Sequence, residues 1–151
     1  MTDFIIIGNA NGAMCKNVFP LFKDGKVRFG YSKRGMDFNS PEGVKNINAV
    51  WYSTFPVTRK PLILTQKYDP EKYPKYDNYD AIEVSKTKDI PYDYEEVMGV
   101  PITFLDKITD RFEIDGVLYG EFTEIDGEYI KGHRPVLNGE QKYSRLLIKR
   151  K

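Results

Sequence analysis

The sequence is short of the residues that cross-link a chain, ligate a metal or bury it in a membrane. Cys15 is the single cysteine among 151 residues, so no internal disulfide forms, which accords with a reducing, cytoplasmic setting. His133 is the single histidine. One His and one Cys without ligand spacing build no metal cluster, and no nucleophile elbow accompanies His133. No run approaches the roughly 18 apolar residues of a membrane span. The first nine residues lack the basic start and long apolar stretch of a secretory signal. Charge of one sign is not in excess: 23 Lys and Arg face 22 Asp and Glu, for a net charge of +1. A nucleic-acid site must therefore be a local basic patch rather than a global field. Lys33-Arg34, Arg59-Lys60 and the cluster Arg145, Lys149, Arg150 and Lys151 are the candidates; solvated loop and tail charges are the plain alternative.

What is present favours strands. Aromatics make up 14% of the chain, with eleven Tyr and one Trp, and such rings suit pleated surfaces and binding faces. A chain this long reads as one domain, burying about two thirds of its unfolded surface. Residues 4–7 (Phe-Ile-Ile-Ile) form a continuous apolar run ending at Gly8-Asn9. Continuous rather than alternating apolarity predicts a central parallel strand covered on both faces. A short helix is expected over about 13–22, with Asn11 or Gly12 near its cap and Pro20 awkward in its second half. Cys15 reads as a small buried hydrophobe. Residues 26–31 alternate and predict a strand with one polar face, 32–45 a polar loop, and 47–55 a strand centred on Val50-Trp51-Tyr52. Residues 62–66 are expected to pair with that strand as a hairpin. The stretch 67–80, rich in Tyr, Pro and Asp, reads as an ordered loop pinned by aromatic packing. A short strand is expected at 81–84. Pro101 argues against a central strand over 100–105, and 111–117 alternates as a strand. Asp126-Gly127 predicts a hairpin between 121–125 and 128–130, and Asn138-Gly139 another between 136–137 and a final strand at 143–148.

Several blocks resemble the EcoRI-type adenine-specific DNA methyltransferases. They are residues 4–9, 26–31, 48–54, 73–82 (Tyr-Pro-Lys-Tyr-Asp-Asn-Tyr-Asp-Ala-Ile), 97–107 (Val-Met-Gly-Val-Pro-Ile-Thr-Phe-Leu-Asp-Lys) and 145–151. The two long blocks are the specific ones. The resemblance implies methyl transfer from S-adenosylmethionine to the exocyclic amino group of adenine in DNA, within restriction-modification, on a Rossmann-like sheet with the base flipped from the duplex. Such enzymes carry an Asn-Pro-Pro-Phe type loop and a glycine-rich cofactor turn. None of the nine prolines here adjoins another, and Gly8-Asn9-Ala10-Asn11-Gly12 only imitates the turn.

The expectation is therefore an α/β, β-rich chain: the C-terminal part of a Rossmann-like methyltransferase sheet with β-hairpin extensions. It is expected to contribute to the target-base pocket and DNA contacts and to be inactive alone. DNA is the implied partner, together with a separate N-terminal half or a second copy and no membrane. A non-catalytic DNA- or protein-binding domain is the alternative. Trp51 and Tyr52 are the leading contact candidates, because one ring of such a pair points outward and can stack on a base; a core anchor and a solvent-facing strand residue are the plain reading. Asn9 and Asn11 follow an apolar strand, where α/β sheets bind ligands, although turn chemistry explains them equally. Lys33 and Arg34, in the early loop, are candidate phosphate contacts, although a solvated connector explains their charges equally well. Residues 76–80 (Tyr-Asp-Asn-Tyr-Asp) read as a loop packing back on the sheet rather than an acid/base site.

Overall fold

The computed structural model describes residues 2–31, 35–107, 110–120 and 122–151. They group into two compact units, Met1–Arg59 and Lys60–Lys151, and the whole is rich in strands with few helices.

The first unit is built on β1 (Ile5–Asn9), α1 (Phe19–Lys23), β2 (Arg28–Phe29), β3 (Met36–Ser40), β4 (Gly43–Ile47) and β5 (Ala49–Ser53). Its sheet has the order β1-β5-β2, and both pairings are antiparallel. The apolar run is thus an edge strand rather than a central parallel one. Among the described residues β5 alone pairs with it, with Ile6 opposite Tyr52, and Ile5, Ile6 and Ile7 remain 58%, 50% and 48% exposed. The expected helix is split into a 3-10 turn, Ala10–Met14, and the single-turn α1. Pro20 lies in the first turn of α1, where its missing N–H is not needed. Cys15 ends the 3-10 turn in extended backbone and is exposed, not buried. Phe22, Phe29 and Tyr52 pack ring on ring at 4.8–5.6 Å and close the core with Phe19 and Met14.

Where a polar loop is predicted at 32–45 the chain forms the β3–β4 hairpin, which runs on to Ile47. Pro41 sits in its tip, Gly43 takes a φ of 115°, and Asp37 accepts a hydrogen bond from the cross-strand Asn46 amide at 2.8 Å. No apolar alternation marks it because β4 is exposed along its whole length.

The second unit carries β6 (Ile82–Glu83), β7 (Met98–Val100), β8 (Phe112–Leu118), β9 (Phe122–Ile125), β10 (Glu128–Lys131), β11 (Val136–Leu137), β12 (Glu140–Gln141) and β13 (Arg145–Arg150). Six strands join in the order β10-β9-β8-β13-β7-β6, antiparallel except for β6 with β7. Both turn dipeptides do what their chemistry demands. Asp126-Gly127 and Asn138-Gly139 have positive φ at both residues, the mirror-image geometry that matches strand twist. The second turn joins β11 to β12 rather than to the last strand, and β13 instead lies between β8 and β7 in the large sheet. Residues 62–66 form no strand; Gln66 makes one bridge to Pro91. β5 could not have accepted them, since β1 and β2 occupy its two edges. β7 is fully buried inside the sheet and stops at Pro101, which cannot donate to a ladder.

The 67–80 stretch is an ordered loop held by rings, with Tyr68 against Tyr73 and Tyr94 at 6.0 and 4.5 Å. Tyr76 is buried with Ala81, Leu118 and Leu147. Its hydroxyl donates to Glu83, and Arg145 reaches the same carboxylate at 2.7 Å. Burial, then the Glu83 carboxylate, push the Tyr76 phenol far above its ordinary value. Burial works against the Arg145 charge, but its hydrogen bonds to the Glu83 carboxylate, with the charge attraction between them, outweigh it and raise the guanidinium further.

Candidate functional site

In the first unit, strand alternation sends the two central rings of β5 to opposite faces. Tyr52 is inside: it is 8% exposed, packs on Phe22 and Phe29, and donates its hydroxyl to the Asn9 carbonyl at 2.5 Å. Trp51 is on the other face. With Ile5, Gly30, Tyr31, Ser53, Phe55, Pro56 and Val57 it lines an open, mostly apolar groove of about 350 Å³. Gly30 is required there, because a Cβ would stand 2.8 Å from the Trp51 Cβ. The groove is held from below by Arg59, whose guanidinium donates to the Phe29 and Gly30 carbonyls at 2.6 and 2.8 Å. Tyr31 is pinned through its hydroxyl, which accepts from the Thr58 N–H at 2.9 Å, yet its ring is 69% exposed. Such a groove offers aromatic faces, the chemistry that stacks on a nucleic-acid base.

The other sequence candidates are placed as follows. Asn9 caps the 3-10 turn, its side-chain oxygen accepting from the Asn11 N–H at 2.9 Å. Both asparagines are exposed, and their placement is that of a turn. Lys33 and Arg34 lie outside the described residues. Arg145 is consumed by Glu83, and Arg150 lies over the Phe112 ring, 5.4 Å from its centroid. The C-terminal basic cluster is therefore partly structural. Tyr31 and Phe55 were not legible as contacts; the one sequence signal was a glycine, Gly30, interrupting a strand of large residues.

The model of the family described as adenine-specific methyltransferase EcoRI matches residues 1–151. The chain belongs to that family. It is 38% identical to the type II methyltransferase M.EcoRI of Escherichia coli over 98% of its own length and 50% of the relative. It is 30% identical to the type II methyltransferase M.MpnI of Mycoplasma pneumoniae, over 99% of this chain and 57% of that one. Type II methyltransferase M.MgeORF184P of Mycoplasma genitalium is 28% identical, again over 57% of its length. No solved structure matches. The chain spans about half the length of the curated relatives it matches.

The family implies S-adenosylmethionine as methyl donor. The turn nearest to a cofactor loop is 8–12, and the protein's own Tyr52 fills it. The Tyr52 ring lies 3.3 Å from where a Gly8 Cβ would be, and its hydroxyl 2.9 Å from that of Gly12. Ala10 and Ala13 beside it are fully buried. These glycines admit a tyrosine, not a ligand, so this turn does not fit a donor molecule.

Proposed function

We propose that the chain is the C-terminal, DNA-facing portion of an adenine-specific DNA methyltransferase. In this reading it works with the remaining half of the family's length, which carries the donor site and the catalytic loop. The family match over every residue, set beside the half-length coverage of the relatives, carries this reading. The Trp51 groove supports it as a wall of the target-base pocket: a flipped base needs an apolar, aromatic surface once it leaves the stack. β1 supports it as well. Three consecutive half-exposed isoleucines on an open edge strand leave backbone groups and apolar area for a further strand and its covering layer.

The test is complementation. The chain is mixed with the portion of the E. coli relative that its alignment leaves uncovered, and transfer of labelled methyl groups to adenine in duplex DNA is measured. The chain alone is expected to transfer none, and the pair to restore transfer. Halves that neither bind one another nor methylate DNA overturn the reading.

A further inference from the structure

The second unit has an open, polar cleft of about 490 Å³, lined by Tyr119, Gly120, Gly132, His133, Arg134 and Gln141. Its glycines pack tightly against the protein's own atoms. A Cβ on Gly132 would stand 2.2 Å from the Phe122 backbone nitrogen, and one on Gly120 3.1 Å from Arg134 Nε. Gly132 therefore packs on the β9 backbone and Gly120 lies against the Arg134 side chain, which fixes the position of both segments beside the cleft. The wall is set in advance by the loop at 76–80. The Asn78 amide donates to the Arg134 carbonyl at 3.1 Å, and its oxygen accepts from the Val136 N–H at 2.8 Å. The Asp77 carboxylate accepts from the Asn138 and Gly139 N–H groups at 3.2 and 2.7 Å. These bonds occupy main-chain groups and carboxylate oxygens while leaving the His133 and Arg134 side chains exposed.

None of the ion pairs among the described residues engages Arg134. On the adjoining hairpin, Glu140 is held by Lys142 at 3.0 Å. Tyr143 follows directly with 81% of its surface exposed. A planar guanidinium, an imidazole and a primary amide along the cleft form a donor-rich rim, which suits a phosphate oxygen. An exposed ring two residues along the chain from Gln141 is available to a base.

We propose that this cleft grips the phosphodiester backbone of duplex DNA, with Arg134 as the principal ionic contact and His133 and Gln141 as supporting donors. The proposal rests on the methyltransferase reading above and adds a contact surface whose residues are all different from those of the Trp51 groove. The experiment is fluorescence anisotropy of the full 151-residue chain with a short labelled duplex at graded sodium chloride. Arg134→Ala is expected to weaken binding about tenfold on unrelated sequences and to reduce the salt slope by about one. Arg134→Lys is expected to keep the slope while losing part of the affinity, because the charge stays and the fork goes. Circular dichroism matching the parent shows that each variant is folded. If the parent binds and Arg134→Ala matches it in affinity and slope, the cleft proposal falls and the DNA reading stands. A weakened variant with an unchanged salt slope also overturns it, because the contact is then not ionic. If the parent chain does not bind duplex DNA, the cleft and the DNA-facing reading fall together.

Discussion

At the scale of single residues, neighbouring rings on one strand carry different duties because a pleated strand alternates its faces. Tyr52 spends its ring on the aromatic core and its hydroxyl on the Asn9 carbonyl. Tyr52→Phe is expected to lower stability by about 0.5–1.5 kcal/mol, the net worth of one hydrogen bond, measured by urea titration. Trp51 faces the groove instead. Trp51→Ala is expected to weaken DNA binding by about 1–3 kcal/mol in the complemented enzyme, read by anisotropy, with a smaller effect on the melting midpoint of this chain. Equal affinity for parent and variant would remove Trp51 from the interface. Arg145 shows the same logic for charge: a basic residue near the C-terminus reads as a tail cation, yet it is 9% exposed and paired to Glu83. Arg145→Ala leaves that carboxylate buried beside Tyr76 and is expected to cost about 3–5 kcal/mol by chemical denaturation.

At the scale of elements, the strands are held where glycines allow close approach. A Cβ at Gly99 on β7 would stand 2.1 Å from the Tyr76 hydroxyl oxygen. Gly99→Ala therefore forces the ring off Glu83 and is expected to destabilise the second unit by about 1–3 kcal/mol, visible as a lower thermal midpoint. A midpoint equal to the parent's would mean that the ring has room to shift. β1 is the element whose residues were readable and whose role was not. Its apolar continuity is the pattern of a doubly covered strand, and in this chain the same residues form a half-exposed edge. The hairpin of β3 and β4 is the converse case, a regular element without any apolar alternation, held by its turn and its ladder.

At the scale of the whole molecule, the buried phenol sets an alkaline limit on stability. Tyr76 is held neutral by burial and by donation to Glu83, so its folded value lies above the ordinary 10.0. A group raised in this way contributes stability that is intact below its unfolded value and is lost as pH climbs beyond it. Tyr73 and Tyr94 are raised in the same direction, chiefly by burial, and add to the effect. The melting midpoint is expected to fall as pH rises above about 10. Tyr76→Phe is expected to melt lower at neutral pH, having lost the hydrogen bond, and to show a shallower alkaline decline. An identical decline in both proteins would show that Tyr76 does not set the limit.

The sequence by itself determined the features governed by local chemistry: the β-rich character, the Asp-Gly and Asn-Gly turns, the aromatic loop at 67–80, a strand centred on Val50-Trp51-Tyr52 and the family. A turn dipeptide with positive φ, a tyrosine cluster between prolines and a family block are all decided within a few residues of chain. Tertiary structure decided what depends on a partner far along the chain. It made the run at 4–7 an edge by supplying one antiparallel neighbour, sent Tyr52 inward and Trp51 outward, placed β13 inside the six-stranded sheet, and buried Arg145 against Glu83. Strand pairing and charge burial are properties of two segments at once, and each segment alone is compatible with more than one outcome. The Trp51 groove and the Arg134 cleft belong to that second class: their residues come from separate stretches, and only folding brings them to one surface.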